Sequence, residues 1–162
     1  MASLQLNDGQ SLLAVNDFFI GCRNHSSFRY TLEVSEQREV QSSSGIIVSA
    51  PLGGSAWLKS LITGAQRIMS ACGGAAEQDV KIFDSWSDTK LVYTVREPFI
   101  SLYSSADNCF GAIGEGQQLI IESATPEQGI IFSDGIEEDF LEFNSGTIAQ
   151  IYVSDKKGRL II

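Results

Sequence analysis

The sequence predicts a mainly β fold, a β-sandwich-like multi-sheet domain with one central helix over about residues 56–72. Short segments rich in β-branched and aromatic residues recur along the chain, separated by glycine, asparagine and aspartate, as in folds built from many short strands. Only one stretch carries the periodicity of an amphipathic helix. The length of 162 residues suits one domain with a sizeable core, so we expect residues 1–162 to form a single domain.

The first elements are a hairpin and two longer strands. Residues 4–6 and 12–15 flank the turn signal Asn7-Asp8-Gly9, which predicts a two-stranded hairpin. Residues 18–21 are apolar and predict the next strand. Residues 28–34 alternate apolar and polar side chains, as a half-exposed strand does.

The rest of the chain is arranged around residues 43–57, which predict a buried strand, a tight glycine loop and a helix start. Pro51 ends the strand because it cannot donate to a sheet ladder. Gly53 and Gly54 allow another molecule to approach the backbone closely, and Ser55 can cap the helix. Such a loop is suited to holding a phosphate or another polar ligand edge. It is equally a tight connection without a ligand, and the spacing alone leaves both interpretations open.

The predicted helix has one apolar face and ends at Gly73-Gly74. Apolar residues recur at i, i+3, i+4 and i+7. They are Leu58, Leu61, Ile62, Ala65, Ile68, Met69 and Cys72. We therefore expect Cys72 to lie in the core, and the same is expected of Cys22 and Cys109.

The second half of the chain predicts further strands. Residues 79–83 and 91–95 predict a pair around a polar loop. Four short apolar segments follow at regular spacing: 119–121, 130–132, 140–143 and 147–153. Residues 159–162 predict a last edge strand.

Composition excludes several classes of protein. The net charge of −9 argues against nucleic acid as a partner, because a phosphate backbone requires a basic surface. No apolar run approaches the length of a membrane span, and the N-terminus lacks the pattern of a secretory signal. The three cysteines are widely spaced and there is one histidine, so neither a disulfide framework nor a metal site is expected. These features favour a reducing, cytoplasmic setting.

Three polar groups outside the glycine loop are candidate ligand contacts. Asn16-Asp17 predicts either a local bend or a pair that binds sugar hydroxyls, since an amide donates and accepts while a carboxylate accepts. Asp134-Gly135 predicts a tight turn. Arg96 suits a phosphate contact, although an ion pair with Glu97 is the simpler interpretation.

Several segments in the right order resemble the C-terminal, β-rich domain of ATP-dependent NAD kinases. Residues 45–57 (GIIVSAPLGGSAW) are similar to the family's D-G-[LI]-I-V-[ST]-T-P-T-G-S-T-A-Y segment. Residues 13–21 (LAVNDFFIG) stand where the family has A-L-N-E-V-x-I-G. Residues 132–135 (FSDG) and 143–149 (FNSGTIA) resemble its closing turns. Ser43-Ser44-Gly45, Ala56-Trp57 and Arg96-Glu97-Pro98 are most similar to the mitochondrial-type branch.

The resemblance implies a set of NAD-binding residues. They are Asn16, Asp17, Gly53, Gly54, Ser55, Ala56 and Trp57, with Ser49, Asp134 and Gly135 as further residues of the cleft. In this assignment Ser55 donates to the dinucleotide and Trp57 is an aromatic wall for adenine. Asp17 replaces the family's glutamate and is one methylene shorter. Leu52 and Gly54 replace a threonine and a serine, so we expect weaker or altered dinucleotide recognition.

The family transfers the γ-phosphoryl group of ATP to the 2′-hydroxyl of NAD to make NADP. Its catalytic aspartate lies in a Gly-Gly-Asp-Gly motif of an N-terminal α/β domain, and this chain has no such motif. We therefore expect no catalytic residue and no activity from this chain alone, with ATP and Mg²⁺ bound only together with that absent domain. The resemblance also implies a homodimer. Two alternatives stay open: a non-catalytic nucleotide-binding or regulatory module, and a β-domain for oligomerisation.

Overall fold

The computed structural model describes residues 1–75 and 80–158, and within these residues it has twelve strands, a short 3₁₀ helix and one α-helix. The strands are β1 (Ala2–Leu6), β2 (Ser11–Ala14), β3 (Asp17–Cys22), β4 (Phe28–Val34), β5 (Gln37–Ser43), β6 (Gly45–Ser49), β7 (Lys90–Arg96), β8 (Phe110–Gly114), β9 (Leu119–Ser123), β10 (Gly129–Ser133), β11 (Leu141–Glu142) and β12 (Ile148–Val153). The 3₁₀ helix is Pro51–Ser55 and the helix α1 is Trp57–Ala71. The predicted fold class is confirmed.

The strands form two antiparallel sheets of six strands each. The first sheet has the order β2-β1-β12-β9-β4-β5 and the second has the order β11-β10-β3-β6-β7-β8. The chain passes repeatedly from one sheet to the other, and its first crossing lies between β2 and β3, at Val15-Asn16. The predicted hairpin is β1 and β2, paired around Asn7-Asp8-Gly9.

The main core lies between the two sheets. Phe18 and Ile20 of β3 and Val48 of β6 point into it, together with Phe28 and Tyr30 of β4. Each large apolar side chain fully buried there stabilises the fold by roughly 1.5–3 kcal/mol. Because β3 and β6 are buried along their whole length, their other faces must also be covered.

The helix α1 covers part of the outer face of the second sheet. Leu58 is buried, and Trp57 and Leu61 pack against Phe19 and Ile47 of that face. The later apolar residues of the helix, including Ile68 and Met69, are exposed. The expectation that Cys72 lies in the core is wrong, since it is exposed. Periodicity reports which face of a helix is apolar, but not how much of that face the fold covers.

The predicted strand pair of residues 79–83 and 91–95 is wrong in its described part, because residues 80–83 form no strand. Instead β7 pairs with β6 and with β8. In β8, Gly111 leaves room for the Tyr93 side chain, whose hydroxyl a Cβ there would meet at 2.6 Å. Residue 79 and the predicted edge strand 159–162 lie outside the described residues.

The carboxylate of Glu39 is a main anchor of the segment between β7 and β8 on the first sheet. Glu39 of β5 accepts hydrogen bonds from Ser105 Oγ at 2.6 Å, from the N–H groups of Asp107 and Asn108 at 2.8 and 2.9 Å, and from Gln41 at 2.8 Å. Burial alone would raise the pKa of Glu39, but these four donors outweigh it and hold the pKa at about 2.

Within residues 1–75 and 80–158, no helix is long and apolar enough to cross a membrane. No group of three or more histidine, cysteine, aspartate or glutamate side chains there is arranged to hold a metal ion.

Candidate functional site

The strand ends of β3 and β6 meet the glycine loop at one end of the second sheet. Asp17 and Ser49 are direct cross-strand partners. The N–H of Ala50 donates to the carbonyl of Asn16 at 2.8 Å, so the backbone that enters β3 also holds the loop. A Cβ on Gly53 would collide with that same carbonyl, so glycine is required at position 53.

Asp134 fixes the crossing from β2 to β3. Its carboxylate accepts from the N–H groups of Val15 at 3.0 Å, Asn16 at 2.7 Å and Asp17 at 3.2 Å. Asp134 and Gly135 both have positive φ, 53° and 75°, which is the turn geometry that favours Asp and Gly at these positions. The structure thus brings Asp134 and Gly135 beside Asn16 and Asp17, where the carboxylate orders the backbone.

Asp17 and Ser49 are buried polar groups without partners among the described residues. Asp17 is 6% exposed and its carboxylate accepts no hydrogen bond there, while the Ser49 hydroxyl is fully buried and unpaired. Desolvation by burial raises the pKa of Asp17, and the nearby Asp134 charge raises it further. Phe18 and Val48 point into the main core, so Asp17 and Ser49 point to the outer face, where α1 lies.

A stack of aromatic rings lies further along the same outer face. The rings of Phe19 and Trp57 are parallel within 5°, with centroids 5.7 Å apart, and Phe132 stacks on Phe19 at 5.0 Å. Gly21 and Gly45 lie beneath the Phe19 ring, and a Cβ on either would come within 3 Å of it. The two glycines therefore allow the Phe19 ring to lie close to the sheet, and Trp57 stacks on that ring.

Arg96 lies over this stack. Its guanidinium carbon is 5.5 Å from the Trp57 centroid and 5.9 Å from the Phe19 centroid. The ion pair expected between Arg96 and Glu97 is not formed: the ion pairs of the described residues are Arg38–Glu122 and Lys81–Asp84. Since aromatic rings accept no conventional hydrogen bonds, the five N–H donors of Arg96 stay available.

These residues line a cleft of about 740 Å³, here called the Trp57 cleft. Arg23 also lines it and lies over the ring of Phe140 at 4.2 Å. The rest of the polar lining is three carboxylates, those of Glu97, Glu137 and Glu138, together with the exposed His25 and with Asn24, Ser26 and Ser44. The volume suits a small-molecule ligand.

Comparison with known proteins supports one fold. No protein-family model matches this chain, and no curated protein sequence matches it. Among solved structures, the crystal structure of an NAD kinase from Archaeoglobus fulgidus in complex with ATP matches with a TM-score of 0.59. That match has 16% sequence identity and covers 96% of this chain. The fold is that of an NAD kinase C-terminal domain.

The present chain spans about half, 51%, of the length of that NAD kinase chain. At 16% identity the likeness shows the fold and assigns no residue a role.

Within the NAD kinase-like fold, the sequence-predicted residues divide into two places. Asn16, Asp17, Ser49, Gly53, Asp134 and Gly135 lie together at the strand ends, and of these Asn16 and Gly135 are exposed. Trp57 lines the Trp57 cleft, whereas Gly54 and Ser55 line a second cleft on the far side of α1. Ala56 occupies the helix N-cap position without a side-chain cap, so the expected cap by Ser55 is wrong.

Sequence reasoning missed Phe19, Arg23 and Phe132 as cleft residues and weighed Arg96 only as an isolated phosphate contact. The pairing of the strands, which the sequence does not show, brings these residues together. Arg96 pairs with Gly45 at the start of β6, and Phe132 pairs with Phe19. Residues 18–20 of β3 are all apolar, so the sequence shows neither which of them points away from the main core nor which strands lie beside them.

Proposed function

We propose that this chain is the NAD-binding domain of an ATP-dependent NAD kinase. Its NAD kinase-like fold supports this proposal, as does the resemblance of residues 45–57 to the family's glycine loop. The phosphoryl transfer from ATP to the 2′-hydroxyl of NAD would then require an N-terminal α/β domain. The assignment to the mitochondrial-type branch stays a prediction.

The Trp57 cleft is the observation that carries the proposal. A planar adenine stacks on an aromatic ring whose own position is fixed, and Trp57 is fixed by its parallel contact with Phe19. Arg96, which has no carboxylate partner among the described residues, is suited to the pyrophosphate. The carboxylates of Glu137 and Glu138 can accept hydrogen bonds from ribose hydroxyls or from the adenine amino group.

Asn16 and Asp17 are proposed to bind sugar hydroxyls at the strand ends. The Asn16 amide is exposed and can both donate and accept. Asp17 has an unsatisfied carboxylate with a raised pKa, so a hydroxyl that donates to it relieves the cost of its burial. Ser49 is the adjacent unpaired hydroxyl on the same face.

The glycine loop explains why altered recognition is expected. A serine at position 54 would place its Cβ 2.5 Å from the Phe83 ring, so the fold excludes the hydroxyl that the NAD kinase pattern has there. Leu52 removes a second hydroxyl and is exposed. Ser55 is therefore the loop residue proposed to donate to the dinucleotide, through its hydroxyl, while the N–H of the neighbouring Ala56 already donates to the Gly53 carbonyl at 3.0 Å.

Activity is proposed to require the second domain. In the transfer, the 2′-oxygen forms a bond to the γ-phosphorus, the bond to the β-γ bridging oxygen breaks, and a group must accept the hydroxyl proton. This chain has no Gly-Gly-Asp-Gly motif to supply that acceptor. ATP and Mg²⁺ are accordingly proposed to bind only with the additional domain.

A homodimer and a cytoplasmic setting are also proposed. Phe99, Ile100, Leu102 and Tyr103 are exposed in a row after β7, which favours contact with a second copy of the chain. The cysteines Cys22, Cys72 and Cys109 are all free, which favours a reducing compartment.

Calorimetric titration of the purified chain with NAD tests the proposal. We expect saturable binding that Trp57→Ala and Arg96→Met each weaken about tenfold, since each removes one major contact. Phe110→Ala is the matched aromatic control, because Phe110 is 53% exposed and lies outside both clefts. With ATP and Mg²⁺ we expect no NADP from this chain alone.

Binding of NAD that is unchanged by both substitutions would contradict the use of the Trp57 cleft. NADP formation by the isolated chain would contradict the dependence on a second domain. If NAD does not bind and sedimentation shows a dimer, the alternative of an oligomerisation module is favoured instead.

A further inference from the structure

A second cleft lies between α1 and the segment that precedes β7. It has a volume of about 560 Å³, within the range of small-molecule sites. We call it the Phe83 cleft. Its α1 wall is one helical face that presents Lys59, Ile62 and Thr63, and Ser55 stands at its entrance beside Pro51. The proposed dinucleotide stacks on Trp57, which does not line this cleft.

The far wall of the Phe83 cleft is aromatic. The ring of Phe83 packs directly over Gly54, at a distance that leaves no room for a Cβ. Lys90 lies 5.8 Å from the centroid of the same ring, which fixes it further. Trp86 also lines the cleft and is 71% exposed. A half-buried ring held on glycine and an exposed indole nearby offer two faces to a planar group.

The opening of the Phe83 cleft carries two ammonium groups. Lys81 is paired with Asp84 at 3.3 Å. Lys59 forms no ion pair with any residue in the described ranges. Thr63 donates its hydroxyl hydrogen to the Lys59 carbonyl at 2.8 Å, whereas Ser55 is exposed and makes no side-chain hydrogen bond there. Counting Lys59, Lys81 and Asp84, the lining has a net charge of +1 on a protein whose net charge is −9.

We propose that the Phe83 cleft binds a small molecule that combines a planar ring with a phosphate group. The ring lies against Phe83 and Trp86, and the phosphate binds Lys59, with Lys81 nearby. The ammonium group of lysine is suited to phosphate as a point charge. The ligand reaches this site independently of the Trp57 cleft, since the two clefts share no lining residue.

The two tryptophans allow each cleft to be observed separately, because Trp57 lines one and Trp86 lines the other. In the full chain carrying Trp57→Phe, Trp86 is the sole tryptophan, and AMP is titrated as the probe. We expect a saturable change in its emission. Adenosine, which lacks the phosphate, and inorganic phosphate, which lacks the ring, should each bind at least tenfold more weakly.

Lys59→Met in the same background is expected to weaken AMP about tenfold, and Lys59→Arg to retain most of the affinity. Lys156→Met is the matched control, because Lys156 is exposed and lies outside the cleft. Thermal unfolding of each variant shows whether it folds. The proposal is overturned if AMP causes no saturable change up to about 10 mM, a limit beyond ordinary small-molecule sites. It is also overturned if a folded Lys59→Met variant binds AMP as the parent does.

Discussion

Glu39 and Asp17 are two carboxylates with nearly equal burial, 7% and 6% exposed, and opposite surroundings. Glu39 receives four hydrogen bonds and its pKa falls to about 2. Asp17 receives none from the described residues, faces the charge of Asp134, and has a raised pKa. Burial alone therefore does not determine the role of an acidic side chain. The donors around Glu39 are used to hold a loop, whereas the acceptors of Asp17 remain available to a ligand.

Among the substitutions considered, replacing Glu39 is expected to change the free energy of unfolding most. In Glu39→Ala the N–H groups of Asp107 and Asn108 and the hydroxyl of Ser105 lose their acceptor. We expect the free energy of unfolding to fall by about 3 kcal/mol at pH 7, measured by urea denaturation. The exposed Glu127→Ala is the control and should stay within about 0.5 kcal/mol of the parent.

The same variant has a defined pH dependence. A carboxyl whose pKa is lowered in the folded state stabilises the fold above its ordinary pKa of 4.5 and loses that contribution as the pH falls to about 2. The difference in unfolding free energy between the parent and Glu39→Ala should therefore shrink between pH 5 and 2. Parallel curves over this interval would contradict the assigned role of Glu39.

Replacing Asp134 has the next largest effect. Asp134→Ala removes the acceptor of three N–H groups and places alanine at a φ of 53°. We expect a loss of about 2 kcal/mol in the free energy of unfolding. Asp134→Asn keeps one acceptor and a residue that tolerates this φ, so its loss should be about half as large. Equal stability of Asp134→Ala and the parent would show that the crossing does not depend on this carboxylate.

Replacing Asp17 is expected to have the smallest effect, and it should increase the free energy of unfolding where the other two substitutions lower it. Because its pKa is raised, ionised Asp17 destabilises the fold, and Asp17→Asn should increase the free energy of unfolding by up to about 1 kcal/mol at pH 7. The gain should vanish below the ordinary carboxyl pKa, where the parent is protonated in both states. The exposed Asp139→Asn is the control. A lower free energy of unfolding for Asp17→Asn than for the parent at neutral pH would contradict this prediction.

Local patterns in the sequence were sufficient for most of the fold. The run of residues 46–48, Pro51 and the glycines predicted a buried strand, a loop and a helix start, and the structure has β6, the 3₁₀ helix and α1 there. The first hairpin and the four late strands were likewise predicted from turn residues and β-branched segments. Each of these signals lies within a few neighbouring residues, which is why a single sequence reveals it.

The arrangement of the clefts depended on pairing that no local pattern contains. Arg96 reaches Trp57 only because β7 pairs with β6, and the sequence favoured residues 79–83 as its partner. Asp134 lies 117 to 119 positions from the N–H groups that it binds. No local pattern indicates the role of Glu39, because its four donors come mainly from a distant loop.

The helix α1 is packed against the sheet at its N-terminal end only, and this determines which of its turns unwinds first. Leu58 near its start is buried, whereas Ile68 near its end is 68% exposed. A helix of 15 residues is only marginally stable without packing, so its final turns unwind at a small fraction of the free energy of global unfolding. Their amide hydrogens therefore exchange first, and fraying stops at the turn that holds Leu58 and Leu61. Trp57 and its cleft stay assembled while the far end of the helix is already unwound.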